Sequence, residues 1–79
     1  MNRTTVDSTN LKSIGYDFDK KILEIEFLTK SVYQYMEVPI SIYTKLVKSN
    51  SKGEFFYHSI RGKFQFKKIK WGEKNWKKI

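Results

Sequence analysis

The sequence predicts one α+β domain: a three-stranded antiparallel meander, then two short helices and a short C-terminal strand or arm. Three observations predict it. Apolar residues alternate at Ile14, Tyr16 and Phe18, and again at Leu23, Ile25 and Phe27, which is the period of a half-buried strand. Past Pro39 the period changes, and Ile40, Tyr43, Leu46 and Val47 follow the i, i+3, i+6, i+7 spacing of an amphipathic helix. The links between the first three apolar segments are too short for anything but hairpins.

Residues 1–9 are polar and read as a loose lead-in. The first strand spans Leu11–Phe18. Asp17-Phe18-Asp19-Lys20-Lys21 supplies a turn, because an aspartate side chain bonds readily to nearby backbone N–H groups. In the second strand, Lys21–Leu28, Leu23, Ile25 and Phe27 share one face, while Glu24 and Glu26 take the other and read as solvated. After Thr29-Lys30-Ser31 the third strand runs Val32–Val38. Pro39 ends the ladder and opens a helix to Lys48, since its missing N–H is not needed in a first turn. Ser51-Lys52-Gly53-Glu54 has the spacing of a capping box. A second helix follows to about Arg61, with Phe56 and Ile60 on one face and Gly62 as its stop. Phe64–Ile69 alternates like an edge strand or arm.

Size and composition narrow the functional classes. A chain of 79 residues has a small core and holds one domain. The absence of cysteine excludes disulfides and thiolate metal sites and suits a cytoplasmic setting. No apolar run approaches the roughly 18 residues of a membrane span. His58 is the lone histidine, so no zinc site can be assembled, and no cofactor motif occurs. Glu24 and Glu26 are a carboxylate pair at strand spacing, and a solvated face explains them better than acid–base work. The expectation is a protein that is not an enzyme.

Charge is the informative property. From Lys52 to Ile79 stand nine basic residues against two acidic ones, a net +7 of the chain's +8. Such an asymmetry points to an anionic partner met by one part of the surface. Three groups of residues suit that partner. At Ser51, Lys52 and Gly53 a helix N-terminus with an added cation offers donors to a phosphate, in competition with simple capping. Tyr33 and Tyr35 project from one strand face about 7 Å apart, where they either stack on bases or pack beneath the helices. In the basic stretch Arg61, Lys63, Lys67, Lys68 and Lys70 alternate with Phe64, Phe66 and Trp71, combining cations for phosphates with rings for bases. Trp71 and Trp76 among the tail lysines give too sparse an apolar face for a membrane-surface helix.

Ile14-Gly15-Tyr16-Asp17, Leu23-x-Ile25-x-Phe27, Val32-Tyr33-x-Tyr35, Val38-Pro39, Tyr43, Leu46, Ser51-x-Gly53, Ile60-Arg61 and Phe64, taken in order, resemble the KTSC domain. The resemblance covers residues 8–69 and leaves Lys70–Ile79 as a basic, Trp-containing extension. The family occurs alone in bacteria and their phages and at the C-terminus of some lysyl-tRNA synthetases, and that attachment implies RNA binding. Its Tyr-x-Tyr falls on Tyr33 and Tyr35, and its Ser-x-Gly and Ile-Arg on Ser51, Gly53, Ile60 and Arg61. Lys30-Ser31 replaces the usual turn glycine, and Phe64-x-Phe66 replaces Tyr-Pro-Tyr.

The functional expectation is a non-enzymatic module for RNA or single-stranded nucleic acid. Ser51, Lys52, Gly53, Arg61, Lys63, Lys67, Lys68 and Lys70 are the candidate phosphate ligands, and Tyr33, Tyr35 and Trp71 the stacking rings. Two alternatives stand beside it. One is a phage-type sequestering protein holding a phosphorylated nucleotide in a pocket, within one chain or between the chains of a homo-oligomer. The other is a basic adaptor for an acidic protein.

Overall fold

A computed structural model describes residues 3–6 and 10–70. The expected extension beyond Lys70, with Trp71, lies outside them. Seven elements follow in order: β1 (Arg3–Thr5), β2 (Leu11–Asp17), β3 (Ile22–Phe27), β4 (Val32–Tyr35), α1 (Ile40–Lys48), α2 (Lys52–Ser59) and β5 (Phe66–Lys70). The strands form one antiparallel sheet in the order β1-β2-β3-β4-β5, with the helices inserted before β5. The α+β class and the central meander are as the sequence predicts. β5 is the expected C-terminal strand and takes one edge of the sheet, while β1 takes the other and corrects the reading of residues 1–9 as a loose lead-in. Thr4 pairs with Ile14 and Arg3 with Gly15, so sheet pairing orders a segment that has no apolar period.

The first turn forms as expected. Asp17 Oδ1 accepts the N–H groups of Asp19 and Lys20, each at 3.0 Å, and Lys21 closes the turn in the left-handed region with φ 57°. In the second turn Lys30 adopts φ 74°, a conformation that disfavours any residue with a Cβ by about 1–2 kcal/mol. β4 ends at Tyr35, three residues before the expected end. Glu37 turns to φ 54°, and Val38 leaves the ladder to donate to the Lys21 carbonyl at 2.8 Å.

The core lies between the sheet and the helix pair. Ile14, Tyr16, Leu23, Ile25 and Tyr35 from the sheet meet Leu46, Phe56 and Ile60. A register shift between Leu11 and Ser13 reverses the strand's phase, which places Leu11 with Ile14 and Tyr16 in this core. On α1 the buried stripe is Ile42, Tyr43 and Leu46, while Ile40 and Val47 remain exposed, a rotation from the expected stripe. The capping box is not formed: the Ser51 side chain makes no cap bond, and its backbone N–H donates to Ser49 Oγ at 3.1 Å instead. Gly62 stops the second helix with φ 77°. Just before it, the N–H groups of Ile60 and Arg61 both reach the Phe56 carbonyl at 2.9 Å.

The expectation that Glu24 and Glu26 form a solvated face is also corrected. On the sheet face away from the helices, the Arg3 guanidinium pairs with Glu24 and lies 3.7 Å from Glu26, and its Nε donates to Ser13 Oγ at 2.9 Å. Ser13 donates in turn to Glu26, and Gln34 Nε2 to Glu24, both at 2.8 Å. Gly15 stands between Arg3 and Glu24 in the cross-sheet row, and without a side chain there the arginine can cross the strand. The carboxylates are therefore structural: Glu24 is only 4% exposed.

Candidate functional site

β4 and β5 place the aromatic residues and α2 places the charge. Because paired residues share a face, the register Tyr35↔Phe66 and Tyr33↔Lys68 puts these four side chains on the helix side of the sheet. Tyr35 packs its ring against Phe56 and Phe66, with centroids 5.5 Å and 5.6 Å away, and stacks on Tyr33 at 6.3 Å. Phe27 meets Tyr33 edge-on at 5.5 Å. This aromatic bed floors an open groove of about 820 Å³. Tyr33, Tyr35, Gly53, Phe56, Tyr57 and Arg61 are among its lining residues, and exposed Leu28, Tyr57 and Phe66 form its rim.

Arg61 is the one charged side chain lining the groove among the described residues. It follows the last turn of α2, and its guanidinium lies over the Tyr57 ring at 5.1 Å from the centroid. Among the described residues no carboxylate pairs with it; the ion pairs there belong to Arg3. Lys68 reaches over Tyr33 with Nζ 5.5 Å from the ring centroid. Tyr35 is 4% exposed, and burial pushes its phenol up to about 12. The neighbouring Tyr33 adds to that shift, while the Arg61 charge opposes it.

The remaining sequence candidates disperse. Lys67 pairs with Gln34 on the opposite sheet face, so it cannot serve the groove. Lys63 borders a neighbouring shallow hollow with Gly62, Phe64, Gln65 and Phe66. Lys52 folds back, its Nζ donating to the Ser49 carbonyl at 3.0 Å, and Ser51 does not line the groove. Lys70 pairs with Val32 at the end of β5. The question of which way Tyr33 and Tyr35 face is answered: both face the helices. Sequence reasoning missed Tyr57, which is 57% exposed beside the groove. Its signal was the four-residue spacing to Arg61 on a helical stretch. Among the described residues no group of three or more His, Asp or Glu could hold a metal, and no helix is long and apolar enough to cross a membrane.

Comparison with known proteins agrees with this architecture. The crystal structure of a KTSC domain protein from Yersinia pestis is similar with a TM-score of 0.84 at 43% identity, over 86% of this chain and 96% of that one. A protein of Stutzerimonas stutzeri named only as uncharacterized is 38% identical over 56 residues, 71% of this chain and 79% of its own length. A lysine–tRNA ligase of Nostoc punctiforme is 39% identical over 59 residues, 75% of this chain. This chain spans only 10% of that ligase's length. The KTSC domain profile itself matches residues 7–64, the interval from just before β2 through α2 to Phe64, and so this chain belongs to the KTSC domain family.

Proposed function

We propose that this KTSC domain is a non-enzymatic binding module for RNA or other single-stranded nucleic acid, and that the aromatic groove is its site. One observation carries the reading: Arg61, a cation with no carboxylate partner among the described residues, opens onto a concave aromatic surface. A guanidinium holds a phosphate through two parallel hydrogen bonds, and an exposed ring such as Tyr57 gives a base its stacking face. The presence of the same module in lysine–tRNA ligases, whose substrate includes an RNA, favours RNA over other polyanions. The concavity of the site also suits a second reading, sequestration of one phosphorylated nucleotide.

Calorimetric titration of a short single-stranded RNA over a series of salt concentrations tests the first reading. Among the described residues Arg61 lines the groove and Lys68 reaches over its Tyr33 ring; with these two as phosphate contacts, at about 0.7 per contact, log affinity falls with log salt at a slope near −1.4. Salt-independent binding, or none, contradicts the proposal.

A further inference from the structure

We propose that the groove holds two unpaired nucleotides of one RNA strand, one stacked on Tyr57 with its phosphate on Arg61, the other stacked on Phe66 with its phosphate on Lys68. This rests on the nucleic-acid reading above and specifies how much of a strand enters the site and which rings hold it. Among the described residues six aromatic side chains line the groove: Phe27, Tyr33, Tyr35, Phe56, Tyr57 and Phe66. Four of them are committed to the protein. Tyr35 and Phe56 are buried, and half-buried Phe27 and Tyr33 meet edge-on, with Lys68 Nζ lying over the Tyr33 ring. Tyr57 and Phe66 are the exposed pair, at 57% and 55%. A base stacks on a ring that solvent reaches, so these two, and not Tyr33 and Tyr35, are the stacking residues.

The two rings stand on different elements, and each has its own cation. Tyr57 belongs to α2, and the Arg61 guanidinium lies 5.1 Å from its centroid. Phe66 opens β5, and Lys68 follows two residues later on the same face of the sheet, about 7 Å along the strand. Phe66 rests against Tyr33 and Tyr35, both at 5.6 Å between centroids, which holds the ring in place while more than half of the residue stays open. Each pair supplies what one nucleotide needs, a flat face for the base and a positive charge for the phosphate. The groove, at about 820 Å³, lies in the upper part of the ~300–1,000 Å³ range of small-ligand sites, which leaves room beyond a single base. Bases inside a duplex have both faces covered by their neighbours and reach neither ring, so the ligand is an unpaired segment.

The test compares three ligands by calorimetry: a single-stranded RNA of about eight nucleotides, the same RNA annealed to its complement, and a nucleoside monophosphate. Support is binding of the single strand at least about tenfold tighter than both of the others, the scale of a second stacking contact. Tyr57→Leu and Phe66→Leu must also each weaken the single strand about five- to tenfold, as one lost stacking contact does. Phe66→Tyr keeps a ring and should bind within about twofold of the parent, and an unaltered melting transition confirms the fold of each variant. Strand affinity unchanged by Phe66→Leu, or lowered as much by Phe66→Tyr, overturns the two-nucleotide site and leaves the RNA reading standing. Binding of the duplex as tight as that of the single strand overturns base stacking and leaves phosphate contacts alone. Binding of the monophosphate as tight as that of the strand overturns the proposal in favour of a captured nucleotide. No binding of any RNA overturns both this proposal and the reading it rests on.

Discussion

The Arg61 guanidinium lies 5.1 Å from the centroid of the Tyr57 ring, four residues earlier on α2, and the two line the same groove. At an exposed site such a contact is worth roughly 0.5–1 kcal/mol. It fixes the direction of a long side chain that would otherwise sample water. Tyr57 therefore has two tasks in the proposed site, holding the cation in place and offering a stacking face. Tyr57→Ala is expected to weaken RNA binding about five- to tenfold, of the order of one lost stacking contact. Chemical denaturation checks that the loss is local: because Tyr57 is exposed, stability stays within about 0.5 kcal/mol of the parent.

Tyr35 gives the fold a dependence on alkaline pH. Its folded pKa, about 12, lies above the ordinary phenol value of 10.0. Below pH 10 both states keep the proton and stability is unaffected. Between about pH 10 and 12 the unfolded chain ionises first, so stability falls by up to about 1.4 kcal/mol per pH unit. Tyr16 is shifted in the same direction by burial, with Asp17 adding to it, and reinforces the loss. Urea unfolding across this window should show a shallower decline for Tyr35→Phe than for the parent; identical slopes would contradict the assignment.

Arg3 ties the N-terminal strand to the sheet through two carboxylates. Removing it leaves Glu24, 4% exposed, without its cation and Glu26 without the nearby charge. Arg3→Ala should cost about 1–3 kcal/mol in urea unfolding. Glu24→Gln in the Arg3→Ala background should restore part of the loss, because a neutral amide no longer requires a counterion. A cost from Arg3→Ala that Glu24→Gln leaves unchanged would show that β1 pairing, not the ion pair, carries the effect.

Gly62 is a backbone requirement. With φ 77° and nothing within 4 Å of the position a Cβ would take, Gly62→Ala meets no steric neighbour and only conformational strain. About 1–2 kcal/mol of destabilisation is expected. Gly62 also borders the groove, so the strain should appear in the RNA affinity if the backbone after Arg61 shifts.

The meander and both helices were legible because their periods come from side chains buried on one face. The first strand was not. β1 carries Arg-Thr-Thr and is held by ladder bonds and the Arg3 pair, neither of which leaves an apolar period. Glu24 and Glu26 looked solvated because alternation identifies the second face of a strand without showing what covers it; the cover is Arg3, which stands 21 residues from Glu24. The candidate site was legible at Arg61, Gly53, Tyr33 and Tyr35, which do meet in one groove. Lysine count misled, because Lys67 and Lys68 are sequence neighbours and strand geometry sends neighbours to opposite faces. Ser51 looked like a cap by spacing, but its hydroxyl makes no cap bond, so residue type alone did not fix the local bond.

The most direct measurement sets Arg61→Gln against Lys67→Gln in RNA affinity at one fixed salt concentration. Both remove one positive charge from an exposed residue, but one borders the groove and the other lies on the far sheet face. The account predicts a loss of roughly 10- to 100-fold for Arg61→Gln, the scale of a charge-assisted hydrogen bond. For Lys67→Gln it predicts less than about a threefold change, as expected of a screened charge. Equal losses from the two variants would mean that RNA senses net charge alone, and the groove would cease to be the site.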